Sequence, residues 1–143
     1  MKKLSIMLSV VLVLALAVSV AGFAKQDVVC KATGGAQLFG YEDSKVNFTF
    51  NVTLYDNGVK GSALWMDHEF GKTKFDVTGV EACDEDSMTF IAEIIATNVE
   101  AYPFEKGDEV GFTVTDDTVT VDWISPDLSP VKFDLAGGNI IIH

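Results

Sequence analysis

The chain is 143 residues long and 48% hydrophobic, and it carries 10 basic against 21 acidic residues, a net charge of −11. That length is one domain, with enough chain to bury roughly 65% of its unfolded surface around a single core. The acidic balance argues against nucleic-acid phosphates and anionic lipid surfaces as partners, and it favours solubility and the attraction of cations.

The first segment, Met1–Ala24, has the pattern of a secretory signal peptide. Lys2 and Lys3 give a positive start, Leu4–Val20 is apolar apart from three serines, and Ala21-Gly22-Phe23-Ala24 offers small residues for cleavage. Cleavage there leaves Lys25–His143 as one β-domain. The competing reading is an uncleaved anchor, since the apolar run is nearly long enough to span a bilayer. A lipoprotein anchor fits less well, because Cys30 falls several residues past the cleavage site. Two of the ten basic residues sit in this leader, so the remainder is more acidic than the whole chain suggests.

Beyond the leader, period-two alternation dominates. From Lys45 to Tyr55, Val46, Phe48, Phe50, Val52 and Leu54 share one face, while Asn47, Thr49, Asn51, Thr53 and Tyr55 share the other. Asp56-Asn57-Gly58 is a hairpin turn, because Asn and Gly accept positive φ. Val59–His68 then returns antiparallel with Val59, Gly61, Ala63 and Trp65 on one face. Gly71 breaks the chain, and Lys72–Thr78 reads as a third strand. Asp84-Glu85-Asp86 is an acidic turn. Ser87–Thr97 is apolar enough for a helix by length, but its β-branched and aromatic residues favour a strand. Pro103 and Gly107 mark a loop. Glu109–Thr115 and Thr118–Ile124 alternate again around an Asp116-Asp117 turn. After Pro126 and Pro130, Val131–Leu135 and Asn139–His143 close the chain. Ile140-Ile141-Ile142 is apolar on both faces, so this last strand is expected to be central or fully covered.

The expected fold is therefore all-β: a single antiparallel β-barrel or β-sandwich of about eight to ten short strands after a cleaved N-terminal signal helix. Cys30 and Cys83 are an even pair. In an oxidising compartment they are expected to form a disulfide, the alternatives being two buried thiols or a metal pair.

Several short motifs have a further meaning. Thr33-Gly34-Gly35-Ala36, Phe48-Thr49-Phe50-Asn51, Val59-Lys60-Gly61 leading to Trp65-Met66-Asp67-His68, Phe104, Gly107-Asp108, Val110–Asp116 and the closing Gly137–His143 are spread along the chain. Together they resemble the small secreted prokaryotic β-domains known as post-COAP domains. The likeness spans nearly all of Lys31–His143. It implies an extracellular, mostly β module, found alone or attached to larger secreted proteins, and it implies no activity.

Candidate site residues fall into a few groups. Asp67 and His68, at the end of a strand, have the chemistry of a metal or acid/base site that a distant acid such as Asp122 would complete; a His that merely fixes a loop is the simpler reading. Asp84 and Asp86, with Glu85 and the separate Asp116 and Asp117, offer hard oxygens to calcium, but no EF-hand spacing is present. Terminal His143 reads as a solvated chain end. Asn47 and Asn51 fit the N-glycosylation pattern on the polar face of one strand. Tyr55 and Tyr102 are the surface aromatics suited to stacking on a ligand such as a sugar, whereas Trp65 and Trp123 fall on inward faces. No serine lies in a nucleophile elbow. The expectation is a secreted or periplasmic, non-catalytic β-module that needs no cofactor. It would bind an extracellular protein or glycan, and neither nucleic acid nor membrane once the leader is removed. The competing functions are a small-ligand carrier with a barrel cavity and a secreted hydrolase with a carboxylate/His68 site. Cavity volume separates the carrier from the module.

Overall fold

A computed structural model describes residues 27–99, 104–123 and 129–143. The expected signal segment 1–24 and Tyr102 lie outside the described residues. The elements in chain order are strand β1 (Val28–Phe39), a single 3-10 turn (Tyr41–Asp43), then β2 (Lys45–Tyr55), β3 (Gly58–Asp67), β4 (Gly71–Cys83), β5 (Ser87–Thr97), β6 (Glu109–Thr115), β7 (Thr118–Trp123), β8 (Val131–Asp134) and β9 (Gly137–Ile142).

All nine strands belong to one antiparallel sheet in the order β8-β7-β6-β5-β4-β3-β2-β1-β9. From β1 to β8 this is a meander, in which each strand pairs with the next in sequence. β9 then pairs with the far side of β1. The sheet curls into a half-barrel, which settles the choice between barrel and sandwich in favour of the curled sheet. Irregularities in the β4–β5 register at Lys74/Phe75, Val77/Gly79 and Val80/Ala82 bend the two longest neighbours, as bulges do.

The alternation read from the sequence sets the inside of the curl. Val46, Phe48, Phe50 and Val52 of β2 are buried, as are Ala63 and Trp65 of β3, Phe75 and Val77 of β4, and Val110, Phe112 and Val114 of β6. The interior is filled by rings in contact. Phe48 stacks on Phe112 at 4.8 Å between centroids, although β2 and β6 are far apart in the sheet order. Phe75 meets Phe112 edge-on at 5.0 Å, and Trp65 meets Phe104 at 6.0 Å. Ring pairs at these separations add specific attraction to the area they bury. The outer face is polar, with Lys31, Lys45, Thr49, Asn51, Lys60, Lys74 and Asp76 exposed.

Three details differ from the sequence reading. First, β1 is a full strand whose inward residues are Cys30, Ala32, Ala36 and Leu38. Its small side chains and the Gly34-Gly35 pair weaken the alternation signal. Second, the third strand runs from Gly71 to Cys83, well past Thr78. Third, β9 is an edge strand and is not covered on both sides. Ile140 is 4% exposed but Ile141 is 45% exposed. The reason is connectivity. Only Leu135 and Ala136 separate β8 from β9, yet β8 pairs with β7 and β9 with β1. One nearly continuous run therefore supplies both edges of the half-barrel, and among the described residues no strand lies beyond β9.

The joint needs glycine. The inward phase passes from Phe133 and Leu135 to Ile140 and Ile142, a shift of one residue. Gly138, at φ 92°, takes up that shift, and a Cβ there would collide with the carbonyl oxygen of Gly35.

Candidate functional site

The register sorts the connections into two ends. One end holds the start of β1, the β2–β3, β4–β5 and β6–β7 turns, and the last residues of β9. Cys30 of β1 and Cys83 of β4 are joined there by a disulfide with Cα atoms 6.7 Å apart. They are separated by β2 and β3 in the sheet, so the bridge spans the curl and ties this end together.

An open basin of about 870 Å³ lies at this disulfide end. Asp84, Glu85 and Asp86 form one wall, Asp116 and Asp117 another, and Asp134 of β8 a third. Lys132 is the basic residue in the lining, and Ile140 and Ile142 of β9 supply an apolar part. The walls are built by turn chemistry. Oδ1 of Asp84 accepts hydrogen bonds from the backbone N–H groups of Asp86 (2.8 Å) and Ser87 (2.9 Å). These two donors hold the Asp84 carboxyl below its ordinary pKa, because they favour the charged form. In the β6–β7 turn Thr115 Oγ1 donates to Asp117 Oδ1 at 3.0 Å and accepts from the Thr118 N–H at 3.0 Å. The sequence marked both acidic turns separately. Only the β5–β6 pairing, with Ser87 opposite Thr115, brings them side by side. The contributions of Asp134, Ile140 and Ile142 had no local signal at all.

Asp67 and His68 sit at the opposite, loop end, where β3 turns into β4. They do not share a site. Asp67 is an inward position and is 3% exposed, while His68 is exposed, as alternation along an extended chain requires. Asp67 organises its own turn. Its Oδ2 accepts from Ser44 Oγ at 2.7 Å, and its Oδ1 accepts from the backbone N–H of Glu69 (2.9 Å) and Phe70 (3.1 Å). His68 Nε2 lies 3.1 Å from Asn47 Nδ2 and lines a shallow groove of about 130 Å³. Asp84 and Asp86 lie at the far end of β4 from this pair, so the four candidate metal ligands form no common centre. No group of three or more His, Cys, Asp or Glu side chains among the described residues is placed to hold a metal ion.

Tyr55 closes β2 at the disulfide end and is half-buried, with the Lys60 ammonium 5.9 Å from its ring centre. Trp65 and Trp123 are 1% and 5% exposed, in keeping with their inward assignment, and they leave Tyr55 as the described surface aromatic among the candidates. Among the described residues no helix is long and apolar enough to cross a membrane.

The chain matches no protein-family model, no curated protein and no solved structure. The likeness to post-COAP domains therefore stands on the sequence motifs alone.

Proposed function

We propose that this protein is exported and acts outside the cytoplasm as a non-catalytic β-module that engages a macromolecular partner at its surface. The observation that carries this reading is the combination of a ring-filled interior with a disulfide across one end of the curl. A stapled domain of this kind suits an oxidising compartment. Rings in contact leave little interior room for a carried ligand, which weighs against the carrier. The contacts of the candidate catalytic groups are accounted for by local structure: Asp67 holds a turn and Ser44, His68 meets Asn47, and Asp84 shapes its own turn. That weighs against the hydrolase. The leader pattern of Met1–Ala24 supports export.

The test has two parts. The full chain is expressed with its leader in an exporting host, and the product is followed by cell fractionation and thiol alkylation. It is expected outside the cytoplasm with both cysteines blocked to alkylation. The recovered protein is then assayed against chromogenic glycoside and ester substrates, against a glycan array, and by cross-linking to envelope proteins. Cytoplasmic retention with free thiols, or hydrolysis that His68→Ala abolishes, would overturn the reading.

A further inference from the structure

The two edges of the sheet are treated differently. β8 is four residues long, follows Pro130, and exposes Lys132 and Asp134. Shortness, proline and charge are the usual means of keeping an edge from pairing with another chain. β9 has none of them. Its sequence is Gly-Gly-Asn-Ile-Ile-Ile, and Ile141 stands 45% exposed on the outer side.

The register shows which backbone groups of β9 are open. The His143 N–H donates to Lys31 O at 2.7 Å, and Thr33 lies opposite Ile141. In an antiparallel ladder alternate residues bond to the same neighbour. Asn139, Ile141 and His143 therefore bond toward β1, and the N–H and C=O groups of Ile140 and Ile142 point toward the free edge. That edge opens on the acidic basin, whose lining includes the same two isoleucines. β7 begins level with Asp134, so beyond that point β9 lies beside the β6–β7 turn and the end of β6, and among the described residues it forms no ladder with them.

We propose that β9 captures an extended, cationic segment of a partner polypeptide by strand addition. This proposal rests on the reading of the protein as a surface-binding module and names the chemistry of its partner. Main-chain groups of the segment pair with Ile140 and Ile142, alternate apolar side chains lie on the isoleucines, and Lys or Arg side chains reach the surrounding carboxylates. Charge decides the occupant. The basin carries six carboxylates against Lys132, and the chain as a whole is at −11. A second copy, bringing the same acidic turns, is repelled. The carboxylates thus protect an otherwise unguarded edge from self-pairing while admitting a basic strand.

The probe is a nine-residue peptide of alternating Lys and Val, titrated by calorimetry into the exported, oxidised product of the full chain. Two control peptides replace Lys by Glu or carry N-methyl groups on alternate backbone nitrogens. The Lys–Val peptide is expected to bind in the micromolar range and to weaken steeply with salt. The Glu peptide should not bind, and N-methylation should weaken binding about tenfold or more, since it removes ladder donors. Ile141→Lys, at an exposed position, should weaken binding with an unchanged melting temperature. Glu85→Gln with Asp116→Asn should flatten the salt dependence. Equal binding of the Glu peptide, indifference to N-methylation, or a dimer by sedimentation that Ile141→Lys dissociates would overturn the proposal. Those outcomes leave the surface-module reading intact if export and cross-linking still hold, whereas cytoplasmic retention or His68-dependent hydrolysis defeats that reading whatever the peptide does.

Discussion

Replacing the disulfide by Cys30→Ala with Cys83→Ser tests how this half-barrel is held together. Cys30 is 6% exposed among apolar neighbours, and Cys83 is half-buried at the start of an exposed turn, so each substitution suits its site. The bridge joins residues 53 apart. Closing a loop of that length removes about 4 kcal/mol of chain entropy from the unfolded state at room temperature. Domains of this size are stable by roughly 5–15 kcal/mol, so the loss is a large fraction of the total. At roughly 4 °C per kcal/mol the melting temperature should fall by about 15 °C. Urea unfolding followed by tryptophan fluorescence reads the change directly, because both Trp65 and Trp123 are buried. The denaturant slope should stay equal or rise, since the unlinked chain unfolds to a more open ensemble. A loss below about 1 kcal/mol would refute the reasoning. It would mean that the unfolded chain is already restricted between β1 and β4 and gains nothing from the bridge.

Three further outcomes follow from single residues. Asp67→Ala should cost about 2–4 kcal/mol, because Ser44 Oγ and the N–H groups of Glu69 and Phe70 lose their acceptor; equilibrium unfolding measures it, and an Asp67→Ala protein as stable as the parent would remove the carboxylate's structural role. Gly138→Ala should cost about 1–3 kcal/mol, because φ is 92° and the added Cβ meets the Gly35 carbonyl; hydrogen exchange should show β9 amides losing protection before those of β2, and unchanged protection would contradict the close approach. The folded Asp84 carboxyl is held below its unfolded value, so its contribution is present above the unfolded pKa and fades as pH falls through the folded one. Asp84→Asn should remove that component of the acid-side decline while leaving the stability at pH 8 shifted by a constant amount, and an identical acid limb in both proteins would refute it.

Much of the fold was legible because the physics behind it is local. Side chains alternate across a strand, so Val46, Phe48, Phe50 and Val52 announced both β2 and its buried face before any neighbour was known. The same holds for β3, β6 and β7, and for the Asp-Asn-Gly turn between β2 and β3. The signal failed in β1, where Ala32, Ala36 and Gly34-Gly35 bury little apolar surface. There the small size has a tertiary cause: a Cβ on Gly34 would stand 2.8 Å from Ile140 Cγ1 of β9. A strand that must admit a close neighbour cannot also advertise itself by large hydrophobic residues.

The candidate sites divide along the same line. The residue types of the acidic turns were plain in the sequence, and so was the cysteine pair. Asp67 and His68 are adjacent in sequence, yet alternation sends one inward and the other to solvent. Whether acidic turns some thirty residues apart meet depends on the register of β5 against β6. Whether three isoleucines end up covered or exposed depends on which strand the chain reaches last. By itself the sequence determined most of the strands after β1 and their inward faces, the acidity and the export pattern, because periodicity and composition are properties of a few consecutive residues. Only the tertiary structure decided that the sheet curls into a half-barrel, that the expected Cys30–Cys83 bridge spans that curl across β2 and β3, and that β9 is left as an open edge beside a basin of carboxylates. Those outcomes are set by pairings between residues far apart in the chain, and no local pattern encodes them.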